Sequence, residues 1–192
     1  MTARPLHPAE IGFDFDGVIA DTVEAFLRLA CEQYGHCDLR PEHITHFLVE
    51  ECLAMEATVV ESIFTAILRD SVGVGLQPMP GAVEVLGELS GRAPVTIITA
   101  RPEAEPVHQW LEAVFPAPVR QRLRVVAMGD HDDKVRHIRQ AGLTAFIDDR
   151  AETCVQLSRA GLDAIVFAQP WNRDRHSLPT VHSWAEIRAL CL

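Results

Sequence analysis

Lysine is almost absent. Of 17 basic residues, 16 are arginine and one is lysine, at position 134. Such a lysine is either a stray surface residue or the mark of a place that needs a compact ammonium; its neighbours decide. Positive charge as a whole is scarce: 17 basic residues against 27 acidic ones leave a net charge of −10. That balance disfavours general binding to nucleic acid or to an anionic membrane, although a local basic pocket remains compatible with it. No apolar run approaches membrane-spanning length. The opening MTARPLHPAE has no apolar stretch of the secretory kind,. The five cysteines, Cys31, Cys37, Cys52, Cys154 and Cys191, are odd in number and form no CxxC. The expectation is reduced thiols in a cytoplasmic protein. There is no internal repeat and no low-complexity tract.

What remains suits one domain, or one domain with a modest insert: 192 residues of which 48% are hydrophobic, enough for a sizeable core,. Short, continuously apolar runs read as strands covered on both faces: Ile11 to Phe15, 94–99 (PVTIIT), 123–129 (LRVVAMG), 144–148 (TAFID) and 163–168 (DAIVFA),. Helical spacing separates the later ones. Ala82, Val85, Leu86 and Leu89 follow i, i+3, i+4, i+7, as do Val107, Trp110, Leu111 and Val114. Asp132 or Asp133 could cap a helix running to about Ala141, and another runs from Ala151 to Ala160,. This alternation predicts an α/β fold, a Rossmann-like parallel sheet with helices on both faces.

Residues 18–81 break the rhythm. Val23, Phe26, Leu27, Ala30 and Tyr34 mark one helix; Val60, Ile63, Phe64 and Ile67 mark another. LRPEHI at 39–44 reads as a connection opening a helix, and VGVGLQPMPGA as a linker,. The prediction is an all-helical insert at 18–81 within a core made of 1–17 and 82–192.

Open parallel sheets bind ligands beyond the C-terminal ends of their strands. Four such ends carry reactive groups: Asp14 and Asp16, then Thr99, then the segment leading to Lys134, then Asp148 and Asp149. Carboxylates converging on one edge repel. A hard cation such as Mg²⁺ relieves this through oxygen ligands, and a lysine adds a second positive charge. Nucleophile, metal, cation and acid together are what phosphoryl transfer requires.

The ordered motifs DFDGV, IITAR, DDK and FIDDR resemble the haloacid dehalogenase-like superfamily of phosphohydrolases over the whole core. The resemblance implies a Mg²⁺-dependent phosphatase of small phosphomonoesters with a C1 cap. It implies Asp14 as the nucleophile that forms an aspartyl-phosphate, and Asp16 as general acid and then base. Thr99 would hold the transferring phosphoryl group, and Lys134 would stabilise Asp14 and the phosphoryl charge. Metal would be held by Asp14, the backbone carbonyl of Asp16, Asp148 and, through water, Asp149. Dehalogenases of the superfamily lack the second acid, which is present here as Asp16. Phosphonate hydrolases use a cap lysine, and 18–80 contains none.

Three short motifs, ITARP, IDDR and QPWN, are similar to the 5'(3')-deoxyribonucleotidase-like branch. They make nucleoside monophosphates the leading substrate class. IDDR is also similar to the phosphatase part of polynucleotide end-processing enzymes, which the acidic net charge disfavours. Sugar phosphates or other metabolites are the alternative substrates, and a non-catalytic binding protein on the same fold is the alternative class. Arg101 either contacts substrate or sits on a solvated loop. Arg28, Arg40 and Arg69 are candidates for a second substrate anion. Phe47 or Tyr34 could stack on a base, although helical spacing favours the core.

Overall fold

A computed structural model describes residues 6–129 and 133–192. Five strands form a parallel ladder in the order predicted: β1 (Ile11–Phe13), β2 (Val95–Thr99), β3 (Leu123–Ala127), β4 (Ala145–Asp148) and β5 (Asp163–Phe167). A sixth, β6 (Thr180–Val181), is two residues long and gave no sequence signal. All pairings are parallel, in the spatial order β3-β2-β1-β4-β5-β6. The chain therefore builds outward from β1 on one side, then returns to lay β4 on its other side. The crevice at that reversal, beyond the ends of β1 and β4, is where such sheets place ligands.

Alternate strand residues face opposite sides of the sheet. Val95, Ile97, Ala145 and Ile147 join Ile11 and Phe13 in one core. Ile98, Phe146, Ala164 and Val166 build a second. The first is covered by α3 (Ala82–Arg92), α4 (Glu105–Val114) and α8 (Trp184–Cys191), with the four-residue α5 (Ala117–Arg120) at its margin. The second is covered by α6 (Lys134–Gln140) and α7 (Ala151–Arg159). The expectation of helices on both faces is met. β3 is an edge strand, so Arg124 is solvated there while Leu123 is buried.

Residues 18–81 contain α1 (Thr22–Tyr34), α2 (Ala57–Arg69) and single 3₁₀ turns at Pro41–His43 and Val49–Glu51, and no strand. LRPEHI thus opens no full helix. The Asp21 side chain accepts from the backbone N–H of Glu24 and so starts α1,. Phe26 and Phe64 stack at 5.0 Å between centroids and join α1 to α2. Two buried tryptophans anchor the insert's ends to the core. Trp184 Nε1 donates to Val18 O at 2.8 Å and Trp110 Nε1 donates to Leu76 O at 2.7 Å,.

Four sequence expectations are corrected. The five cysteines are not all reduced: Cys31 and Cys37 form a disulfide, while Cys52, Cys154 and Cys191 are free. The cause is local. Gly35 ends α1 at φ 77°, a left-handed turn open to glycine, and folds the chain back so that the two Cα atoms lie 4.2 Å apart,. Tyr34 belongs to no core: it sits on the last turn of α1 and is exposed. The first strand ends at Phe13 rather than Phe15, although Asp14 still donates its N–H to Ile147 O at 2.9 Å. Asp133 occupies the start of α6 without capping it and pairs with Arg136 instead; Asp132 lies outside the described residues. No described helix is long and apolar enough to cross a membrane.

Candidate active site

Six side chains singled out in the sequence meet at one edge of the sheet. Asp14 follows β1, Thr99 ends β2, Lys134 opens α6, Asp148 ends β4 and Asp149 follows it. Asp14, Thr99, Lys134, Asp148 and Asp149 are buried. Together with Asp16 they line one cavity of about 530 Å³ whose far wall comes from the helical insert.

Carboxylate oxygens of Asp14, Asp148 and Asp149 lie within 4.8 Å of one another. Lys134 Nζ sits among them, 2.6 Å from Asp148 and 3.1 Å from Asp14. The second of these contacts lacks hydrogen-bond alignment, so Asp14 Oδ1 is buried without a bonded donor. Burial pushes the Asp14 carboxyl up to about 7; Asp148 and Asp16 add to this and Lys134 opposes it. Burial, then Asp148 and Asp14, raise Asp149 well above the carboxylate range against the pull of Lys134. Burial works against the Lys134 charge, but Asp14 and Asp148 outweigh it and raise its pKa. One ammonium among three buried carboxylates leaves surplus negative charge, which fits a site for a divalent cation.

The neighbouring backbone is shaped to this cluster. Gly17 has φ 71°, and a Cβ there would stand 2.2 Å from Asp149 Oδ2, so only glycine lets the loop pass,. Trp171 Nε1 donates to Asp149 Oδ2 at 3.1 Å. Asn172 Nδ2 donates to the carbonyls of Asp149 (2.7 Å) and Phe167 (2.8 Å), and Gln169 Nε2 to that of Gly17 (2.7 Å). QPWN therefore braces the acidic site, and Trp171 also lines the cavity.

Asp16 is not part of the carboxylate cluster. Its two oxygens receive Arg101 Nε at 2.8 Å and Nη2 at 2.7 Å, and Thr22 Oγ1 at 2.6 Å. Burial would raise its pKa, but the Arg101 fork reverses this and the net shift is downward,. Arg101 also donates Nη1 to Ser71 Oγ at 2.7 Å, and Ser71 donates in turn to Ile67 O at 2.9 Å. Arg101 is thus neither on a solvated loop nor open to substrate. The roles of Thr22 and Ser71 escaped sequence reading. Ser71 stands 30 positions from Arg101 and no local pattern marks it.

The insert arginines do not line the cavity. Arg28 is held by Glu24 and the carbonyls of Val74 and Gly75. Arg40 donates to the carbonyls of Cys37 and Leu39. Arg150 pairs with Glu152 at 3.8 Å and lies over the Phe47 ring at 4.9 Å. Phe47 is accordingly a half-buried wall residue.

The family described as 5' nucleotidase, deoxy (pyrimidine), cytosolic type C protein matches residues 8–192. The chain belongs to this family. It is a phosphomonoesterase of the haloacid dehalogenase-like superfamily. Solved structures of low identity share the fold. A candidate phosphoglycolate phosphatase from Lactobacillus delbrueckii subsp. bulgaricus is 18% identical at a TM-score of 0.63, covering 97% of this chain and 99% of that one. A haloacid dehalogenase-like hydrolase from Streptococcus pneumoniae is 14% identical at 0.61, covering 93% and 96%. A HAD-superfamily hydrolase of subfamily IA from Geobacter sulfurreducens is 18% identical at 0.58, covering 94% of each chain. No curated protein matches the chain significantly.

Proposed function

We propose that the protein is a Mg²⁺-dependent phosphatase that hydrolyses nucleoside or deoxynucleoside monophosphates through an aspartyl-phosphate on Asp14. The observation that carries this reading is the buried placement of Asp14 beside Lys134, Asp148 and Asp149 at the floor of a cavity. The family match supports the nucleotide class. The carboxylates of Asp14, Asp148 and Asp149 and the carbonyl of Asp16 would hold Mg²⁺, which supplies the positive charge that lets a phosphate dianion approach these acids.

In the first step an Asp14 oxygen attacks phosphorus, the ester P–O bond breaks, and Asp16 gives a proton to the leaving oxygen. Thr99 accepts the backbone N–H of Arg101 at 3.2 Å, which leaves its own O–H to donate to the phosphoryl group. Lys134 balances the charge on Asp14 and on the phosphoryl oxygens. In the second step Asp16 takes a proton from water, the water oxygen attacks phosphorus, and the bond to Asp14 breaks to release phosphate. Bound by Arg101, Asp16 is ionised, the form the second step needs. The first step needs its proton, so the Arg101 fork has to release an oxygen when substrate enters.

We further propose that 18–81 acts as a cap over a core of 1–17 and 82–192, excluding water from the cavity. Cytoplasmic residence is proposed on the family's cytosolic description and the three free thiols. The test is phosphate release from nucleoside, deoxynucleoside and sugar monophosphates, with Mg²⁺ or with EDTA, against Asp14→Asn as blank. Metal-dependent release concentrated on nucleotides is expected. Release from sugar phosphates alone would keep the chemistry and overturn the substrate class. No release from any ester would overturn the phosphatase mechanism.

A further inference from the structure

Arg101 commits every guanidinium nitrogen to a partner inside the protein. Nε donates to Asp16 Oδ2 at 2.8 Å, Nη2 to Asp16 Oδ1 at 2.7 Å, and Nη1 to Ser71 Oγ at 2.7 Å. The Ser71 hydroxyl hydrogen goes to Ile67 O at 2.9 Å, which leaves its oxygen free to accept from Arg101,. The Phe15 ring centre lies 4.8 Å from the guanidinium carbon, and Trp110 holds that ring in an edge contact at 5.0 Å. The Arg101 side chain is 2% exposed and does not line the cavity, whereas that of Asp16 is 31% exposed and does. Arg101 thus touches Asp16 but not the space a substrate would fill.

We infer that Arg101 is a positioning residue that aims Asp16 as the base of the second step, and that Ser71 fastens it there. The inference rests on the phosphatase reading and deepens it. An ionised carboxylate offers about four acceptor sites, two on each oxygen. On Asp16 Oδ1 both are filled, by Arg101 Nη2 and by Thr22 Oγ1 at 2.6 Å. Oδ2 holds Arg101 Nε alone, so it keeps an open site. Oδ2 is therefore the oxygen that takes the proton from water, as the water oxygen bonds phosphorus and the bond to Asp14 breaks. The direction of that site is set by the plane of the carboxylate. A guanidinium fork fixes this plane, whereas an ammonium supplies charge without fixing it. Ser71 and Phe15 keep the fork itself from turning.

The test separates the two steps with p-nitrophenyl phosphate, whose leaving group needs no proton. With the Mg²⁺-loaded enzyme in excess, nitrophenolate release reads the first step and phosphate release the second. Arg101→Lys keeps the charge and loses the fork. It should slow phosphate release by about tenfold or more while nitrophenolate release changes by less than about threefold. Ser71→Ala keeps the fork and removes its fastening, so it should delay phosphate behind nitrophenolate by about threefold. A merely structural role would slow both products together. Equal slowing of both, or no added delay in either variant, would overturn the inference and leave the phosphatase reading intact. If Arg101→Lys does not fold, Ser71→Ala decides alone: a delay supports the inference and its absence overturns it. No nitrophenolate from the wild-type protein would overturn the phosphatase reading, and the inference with it.

Discussion

The two halves of the cavity are built on opposite principles. At the floor, charge is concentrated and nearly every polar atom has an assigned partner: Lys134 on Asp148, Arg101 and Thr22 on Asp16, Trp171 on Asp149. Under the insert most of the wall is apolar, with Glu50, Glu61 and Arg150 its charged members. The floor tolerates almost no substitution, because each change strands a buried charge. The wall tolerates many, because apolar side chains of similar volume replace one another at small cost. In the proposed function the floor carries the chemistry and the wall meets the body of the substrate.

The sharpest way to break this division is at the floor. Asp14→Asn removes the proposed nucleophile and should lower kcat on the order of 10³-fold or more. The variant should still bind substrate, since the apolar half is untouched; phosphate release and calorimetric binding measured together check both. Asp16→Asn comes next, with a loss of about 10²-fold or more as the proposed acid and base are removed together. Fast trapping of phosphoenzyme with an aryl ester, whose leaving group needs no proton, would show which step suffers. Little change in either step would identify another proton donor.

Metal and pH sharpen the same contrast through stability. In the metal-free protein Asp14 titrates near pH 7 against an ordinary 3.8, and Asp149 is raised as well. A raised carboxyl pKa means the folded state holds a proton that the unfolded chain has lost. The stabilisation is full below about pH 4 and is lost as pH rises through 7. Metal-free Tm should therefore fall over that range. Mg²⁺ competes with those protons, so it should raise Tm more at pH 8 than at pH 5. A metal shift independent of pH would remove these carboxylates from the binding site.

The same contrast explains what could be read from the sequence. Asp14, Thr99, Asp148 and Asp149 were legible because each ends an apolar strand, and a parallel sheet gathers strand ends at one edge. Lys134 was legible because it stands alone among arginines. The Arg101 fork was not, because it joins residues 85 positions apart in the chain. Ser71, buried behind it, looks like any serine after a helix. β6 was missed because two residues carry no period. For Phe47 spacing favours the core but leaves stacking on a base open, because it marks burial without saying whether side chain or ligand completes it. The apolar wall likewise has the spacing of an ordinary helix interior. Its meaning appears only when the cavity is seen to join the charged floor.

The smallest expected effect lies farthest from the floor. The Cys31–Cys37 bridge closes a short loop, six positions apart, at the exposed end of α1. Loop closure of that length restricts the unfolded chain by about 2 kcal/mol. Reduction, or the double change Cys31→Ser and Cys37→Ser, should lower Tm by a few degrees and leave kcat/KM unchanged, because neither cysteine lines the cavity. Denaturant unfolding with and without reductant, paired with the phosphate assay, reads both quantities. If reduction changed kcat/KM as well, the end of α1 would have to be coupled to the wall through the Phe26–Phe64 stack. The insert would then transmit more to the floor than a passive wall does.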